Sequence, residues 1–331
     1  MQLPMSRNTD IPGGLIHETN THVHLLRRDV LLTQAMGGPL AEQSEEHLER
    51  IYDVLDLGCG CGGWAAQMAH RYPEMTVVGV DCNETFIHCA RSFASIQELE
   101  NASFQVMDVT QPLPLLDASF DLVNIRLLGN TLLPEQWEPL MQECQRLLRP
   151  GGVLRITEAE WGCLGMVSAA FARLFSLTLE ALAHAQPPLL SLLDRPTSLT
   201  PLLQPFLRRH GFEAVQGVAA AIDHSAGTEG HLAFASEYLL WFQNHAATMI
   251  EAHLLSREMF DVLFKQTSQE ILNTFSGILY LFTAWGEKPM SAQNNVLSKV
   301  TASQEPLPVV VLDAGVAPFL EHLKQASTIC V

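Results

Sequence analysis

Short apolar runs recur along the first half of the chain between longer stretches of helical spacing. Val54–Leu57, Thr76–Val80, Ser103–Met107, Phe120–Ile125 and Val153–Thr157 are rich in aliphatic, often β-branched residues. Near-continuous runs of this length predict parallel strands covered on both faces. Trp64–Arg71, Glu84–Ala94 and Pro134–Leu148 alternate apolar and polar positions with helical period and fall between those strands. Arg149-Pro150-Gly151-Gly152 predicts a tight turn feeding the fifth strand, because proline presets one backbone angle and glycine supplies a left-handed one. Upstream, residues 1–13 read as a loose arm. Leu15–Met36 is an amphipathic helix ended by Gly37-Gly38-Pro39, and Ala41–Arg50 is a second, acidic helix.

Beyond Glu160 the spacing changes. Met166–Ala185 predicts a long helix stopped at Pro187-Pro188, and Leu199–Arg209 a shorter one ended by Gly211. A sixth strand over Ala214–Ile222, helices over His231–His253 and Ser256–Phe275, and a last strand over Ile278–Trp285 follow. From Lys288 a polar linker leads to LPVVVLDAG and FLEHLKQA, an extra βα piece or a docking arm.

The densest chemistry lies in YDVLDLGCGCGGWAAQMAHRYPEMTVVGVD, Tyr52 to Asp81, which reads as one βαβ unit. Gly58, Gly60 and Gly62 let the backbone turn sharply and let a ligand approach the main chain. Asp81, at the carboxyl end of the second strand, can accept hydrogen bonds from ribose hydroxyls. Gly58, Gly60 and Gly63 also satisfy G-x-G-x-x-G, so a nicotinamide dinucleotide fold stays open on the glycines. Asp56, on the first strand, and Asp108-Val109, after the third, favour a different nucleoside. An adenine amino group gives an acid at the third strand tip a purpose.

With these pieces in place, the chain resembles the class I S-adenosylmethionine (SAM) dependent methyltransferases. VLDLGCGCG, VVGVD, FQVMDV, FDLVNIRLL and LLRPGGVLRITE carry the resemblance in order, from about Ile51 to Glu160. NTHVHLLRRDVLLTQAMGG and the RLLG after the fourth strand are similar to methyltransferases of secondary metabolism. The resemblance implies an α/β fold, a Rossmann-like seven-stranded, mostly parallel sheet with helices on both faces and an added helical cap. It divides the chain into an arm and lid helices (1–48), a SAM-binding core (49–161), cap insertions interleaved with late core elements (162–275), a final core strand (276–287) and a tail (288–331).

Site roles follow from the same resemblance. Backbone groups of Gly58, Cys59, Gly60 and Gly62, with Asp56 behind them, would hold the methionine part of SAM. Asp81 would bind the ribose, with Cys82 or Asn83 beside the adenine. Asp108 would accept from the adenine amino group and the Val109 amide would reach a ring nitrogen. Asn124 and Arg126 would border the amino-acid end or the methyl group. S-adenosylhomocysteine would be the product.

On the acceptor side, His22, His24, Arg27 and Arg28 lie on the lead-in helix, and Glu158, Glu160 and Trp161 follow the fifth strand, where ligands bind in open α/β sheets. His24, Glu158 and Glu160 are the candidates for taking a proton from an acceptor. His17, His22 and His24 lack a fourth ligand, so no metal site is expected. The fourth strand ends in NIRL rather than the (N/D)-P-P-Y of exocyclic-amine methyltransferases, and no acidic cluster of the magnesium-dependent kind follows it. A small acceptor methylated on oxygen, nitrogen or carbon remains. Two rivals keep the fold but change its use. One is a regulator that binds a protein partner, the other a pericyclase-like enzyme that uses the sulfonium without transferring its methyl.

Composition narrows the setting. With 331 residues, 47% hydrophobic and 17% charged, the chain can bury a large core. A net charge of −17 argues against nucleic acid as partner. Seven cysteines at spacings unsuited to zinc read as small buried thiols in a reducing cytoplasm. No apolar run reaches membrane-spanning length, and the amino terminus has no signal-peptide core. A homodimer is left open.

Overall fold

A computed structural model of the chain describes residues 25–129, 131–160, 168–185, 199–228 and 230–290. The expected arm, His17, His22, His24, Trp161, Cys163, the Pro187-Pro188 stop and all of the tail beyond residue 290 lie outside the described residues.

Seven strands form one sheet: β1 (Asp53–Leu57), β2 (Thr76–Asp81), β3 (Ala102–Val106), β4 (Phe120–Arg126), β5 (Leu148–Glu160), β6 (Glu213–Asp223) and β7 (Ile278–Glu287). Their order is β3-β2-β1-β4-β5-β7-β6, and β7 alone runs antiparallel to its neighbours. The chain builds outward from β1 to β3, then crosses to β4 on the other side of β1. That reversal is a topological switch point, where ligands lodge beyond the carboxyl ends of the strands. The helices are α1 (residues 25–35), α2 (Glu45–Leu48), α3 (Gly63–Arg71), α4 (Glu84–Ile96), α5 (Pro134–Leu147), α6 (Ala169–Ala185), α7 (Leu203–Arg209), α8 (His231–Asn244), α9 (Ala246–Glu251) and α10 (Arg257–Asn273).

Strand side chains alternate between faces, and the two faces carry different chemistry. Leu55, Leu57, Val123, Ile125, Leu154 and Ile156 pack with Trp137, Met141, Leu203 and Leu207 of α5 and α7. On the other face Val54, Leu122 and Val153 pack with Trp64, Met68 and Ala90 of α3 and α4. Farther along that same face the register aligns Asp56, Asn124 and Arg155, and beyond them Arg126, Thr157 and Thr283. A third cluster joins Leu32 of α1 and Ala159 of β5 to the cap, through Phe171, Phe175, Tyr238, Phe242 and Phe275.

Three sequence expectations change in detail. The Arg149–Gly152 turn is drawn into β5: Gly151 and Gly152 exchange backbone hydrogen bonds with Lys288, and Gly151 takes a left-handed φ of 79° beside a register shift. The helix expected over His231–His253 breaks at His245, whose φ of −101° and ψ of 6° leave the helical range while its Nδ1 donates to the Trp241 carbonyl. The second helix shortens to Glu45–Leu48 because Ser44 caps it, its hydroxyl accepting from the His47 N–H.

Candidate active site

The glycine loop is fixed from below by β2. The N–H groups of Gly58 and Cys59 both donate to the Val80 carbonyl, at 2.8 and 2.9 Å. Asp81 then reaches across: its Oδ2 accepts from the Gly60 N–H at 2.9 Å and its Oδ1 from the Asn83 N–H at 2.8 Å. Asn83 caps α4 by accepting from Thr85 and Phe86. Gly58 and Gly62 are left-handed, and a Cβ there would stand 2.6 Å from Leu128 and 2.8 Å from Phe104. At Gly60 a Cβ would meet nothing within 4 Å. The loop is thus closed at both ends and open in the middle, directly beside Asp81. Cys59 is buried with its thiol on the Gly60 carbonyl, and Cys82 is exposed.

At the third strand tip the exposed Asp108 folds back on its own turn, accepting from the N–H and hydroxyl of Thr110 at 2.9 and 2.7 Å. A carboxylate has about four lone-pair positions, so these bonds leave acceptor capacity. Val109, half-buried, packs on the apolar face.

Behind the loop lies a buried chain of polar groups. Asp56 is 3% exposed, and its Oδ1 accepts from Asn124 Nδ2 at 2.7 Å. Asn124 Oδ1 accepts in turn from Arg155 Nη1, and Arg155 Nε donates to Glu42, each at 2.7 Å. The Arg155 guanidinium also lies 5.8 Å from the centre of the Trp64 ring. One strand step away, Arg126 pairs with Asp29 of α1 at 2.8 Å and donates to the Thr33 hydroxyl at 3.1 Å. Asp29 neighbours Arg28, which bonds Glu237 on α8 and so ties α1 to the cap. Asp29 also presses on α3, since a Cβ at Gly63 would come within 2.5 Å of its own. Burial pushes the Asp56 carboxyl up to about 7, against the pull of the Asn124 amide and the Arg126 charge. Burial also lowers Arg126.

Asn124 and Arg126 therefore sit inside a network rather than on a free rim. Asp29, Thr33, Glu42 and Arg155 belong to that network and are not among the residues singled out from sequence. Arg155 carries a signal there, a cation at an inward position of the apolar run Val153–Thr157. Asp29 and Glu42 carry none, being ordinary charges in segments of helical spacing.

Toward the expected acceptor side, Glu158 is 3% exposed on the otherwise apolar face. Its Oε1 accepts from the Gly129 N–H at 2.8 Å, with Leu128 as a second backbone donor, and burial raises its pKa to about 8. Those donors belong to the turn after β4, where Leu127 adopts a φ of 59° and Leu128 packs over Gly58. Glu158 thereby steadies the turn that closes the glycine loop. Glu160 accepts from the Thr200 hydroxyl at 2.8 Å. Among the described residues no group of three or more His, Cys, Asp or Glu side chains is placed to hold a metal ion, and no helix is long and apolar enough to cross a membrane.

The chain's own residues fit SAM. The space over Gly60 admits a ligand against the backbone, acids stand at three adjacent strand tips, and the buried Asp56 suits a cationic group nearby.

Known proteins agree. A family model described as a methyltransferase domain matches residues 54–152. Trans-aconitate 2-methyltransferase of Deinococcus radiodurans is 39% identical over 113 residues, 33% of this chain and 38% of that protein. Methyltransferase GfsG of Streptomyces halstedii is 35% identical over 130 residues, 36% of this chain and 45% of that one. The secondary metabolism regulator laeA of Coprinopsis cinerea is 31% identical over 119 residues, 36% of this chain and 27% of that protein. In each case the chain covers less than half of the relative's length. The switch point at β1 and β4 and the acids around the open glycine loop lie within the matched stretch, and residues 54–152 are thereby a methyltransferase domain.

Proposed function

We propose that the protein transfers the methyl group of SAM to oxygen, nitrogen or carbon of a small-molecule acceptor, in natural-product metabolism. The observation that carries this reading is the loop beside Asp81, pinned at Gly58 and Gly62 and open at Gly60. The cofactor supplies a methyl already activated by its sulfonium. What remains for the protein is to hold acceptor and methyl carbon in line and to exclude water. Asp81 and Asp108 would take the adenosine, Gly58–Gly62 with Asp56 the methionine end, and α1 with the cap would cover both. Glu158, protonated below about pH 8, would take the proton that an acceptor loses on methylation once it is ionised above that pH. GfsG and trans-aconitate 2-methyltransferase, named as methyltransferases, support the reaction class.

Calorimetric titration tests the reading. S-adenosylhomocysteine should bind, and Asp81→Ala should weaken binding roughly tenfold or more, the loss expected when hydrogen bonds to a charged group disappear. Binding of NADH in place of SAM would overturn it.

One observation favours a second reading. Phe171, Phe175, Tyr238, Phe242 and Phe275 fill the space between cap and sheet, which suits a protein that keeps the fold for partner binding. The likeness to laeA, named as a regulator, points the same way. Methyl transfer to any small acceptor in a screen with labelled SAM decides for the enzyme.

A further inference from the structure

Two thiols meet where the glycine loop touches α4. Cys61 sits in the loop, 1% exposed, immediately before the left-handed Gly62 that opens α3. Cys89 lies half-buried on α4. Their flanking residues bring the segments into contact, for a Cβ on Gly62 would stand 2.9 Å from that of Ala90. The Cys61 and Cys89 side chains lie close enough to interact across this contact, and both are free thiols. Cys59, two residues earlier, points elsewhere, toward Gly79 and the Gly60 carbonyl.

We infer that Cys61 and Cys89 form a reversible disulfide under peroxide, and that the bond weakens cofactor binding by distorting the loop. The second half rests on the proposed SAM site; the first does not. Cys89, the more accessible, reacts first: its thiol and a hydroperoxide give a sulfenic acid and, for hydrogen peroxide, water. Burial, then the neighbouring Cys89 thiol, raise the Cys61 pKa, which argues against Cys61 as the initiating thiolate and leaves that role to Cys89. Its sulfur attacks the sulfenic sulfur, the S–O bond breaks, and a second water leaves with the Cys61 proton. Two thiols and one hydrogen peroxide become one disulfide and two waters.

The two sulfurs must close to about 2.05 Å. Cys89 is held by a helix of 13 residues, so the loop supplies the movement. Gly62 has no slack against Phe104 and Ala90, which leaves Gly60 and its bond to Asp81 to shift.

The full chain is treated with hydrogen peroxide, digested without reductant and mapped by mass spectrometry, and S-adenosylhomocysteine is titrated before treatment, after it, and after dithiothreitol. A Cys61–Cys89 linkage two hydrogens lighter than the reduced pair is expected, with at least tenfold weaker binding restored by reductant. Cys89→Ser should bind as the reduced protein does and resist peroxide. No linkage, or a Cys82–Cys89 linkage instead, overturns the thiol pair, and a correct linkage with unchanged affinity overturns its control of the loop. Failure of the untreated protein to bind S-adenosylhomocysteine would count against the SAM site alone, because the linkage is read without ligand.

Discussion

The two faces of the central strands contrast although they are written in the same residues. On β1, Leu55 and Leu57 face an apolar layer and Asp56 faces α1; on β4, Val123 and Ile125 alternate with Asn124 and Arg126; on β5, Leu154 and Ile156 alternate with Arg155 and Thr157. The apolar face needs only shape and volume from its partners, and many side chains would satisfy it. On the polar face donors are matched to acceptors, Arg155 Nη2 excepted, because an unmatched buried group costs about 1–3 kcal/mol. One face packs the sheet against α5 and α7; the other ties it to α1 and to the segment before β1.

That contrast can be broken at three points. Leu154→Ala, on the apolar face, should have the largest effect, a loss of about 2–5 kcal/mol in denaturant unfolding with little change in cofactor affinity relative to the folded fraction. Asn124→Ala, in the middle of the polar chain, strands Asp56 and Arg155 together. We expect a loss of about 1–3 kcal/mol, accompanied by weaker S-adenosylhomocysteine binding in calorimetry. A variant that loses stability but keeps full affinity would separate the polar chain from the loop and end the distinction drawn above.

Glu158→Gln gives the smallest effect and a pH signature. The folded-state pKa of Glu158 is raised from 4.5 to about 8, so its contribution to stability is fully present below about pH 4.5 and is lost as pH rises toward 8. Gln keeps an acceptor for the Gly129 N–H but cannot ionise. The melting temperature of the wild type should therefore fall between about pH 4.5 and 8 more steeply than that of the variant, as scanning calorimetry would show. Parallel slopes would mean that Glu158 is ionised without penalty.

Legibility in the sequence follows the same division. The strands and Gly58–Gly62 are readable because apolar runs and glycines obey local rules. The seven-stranded, mostly parallel sheet comes with the resemblance, and the structure bears it out. The polar chain is only half readable. Asp56, Asn124 and Arg126 stand out as groups near strand tips, but their network reaches Asp29 and Glu42 in the segment before β1, a pairing no local pattern encodes. The break at His245 is hidden for a related reason: helical spacing continues through it, and a single residue leaving the helical angles marks the end of α8.

Asp56 has a further consequence. A carboxyl that titrates near 7 is only partly ionised at neutral pH, and a positive ligand settling close by would favour its anion. Cofactor capture would then expel protons into the buffer. The apparent heat of binding should vary with the buffer's ionisation enthalpy, and affinity should climb as the medium is made more alkaline, from about pH 6 to 8.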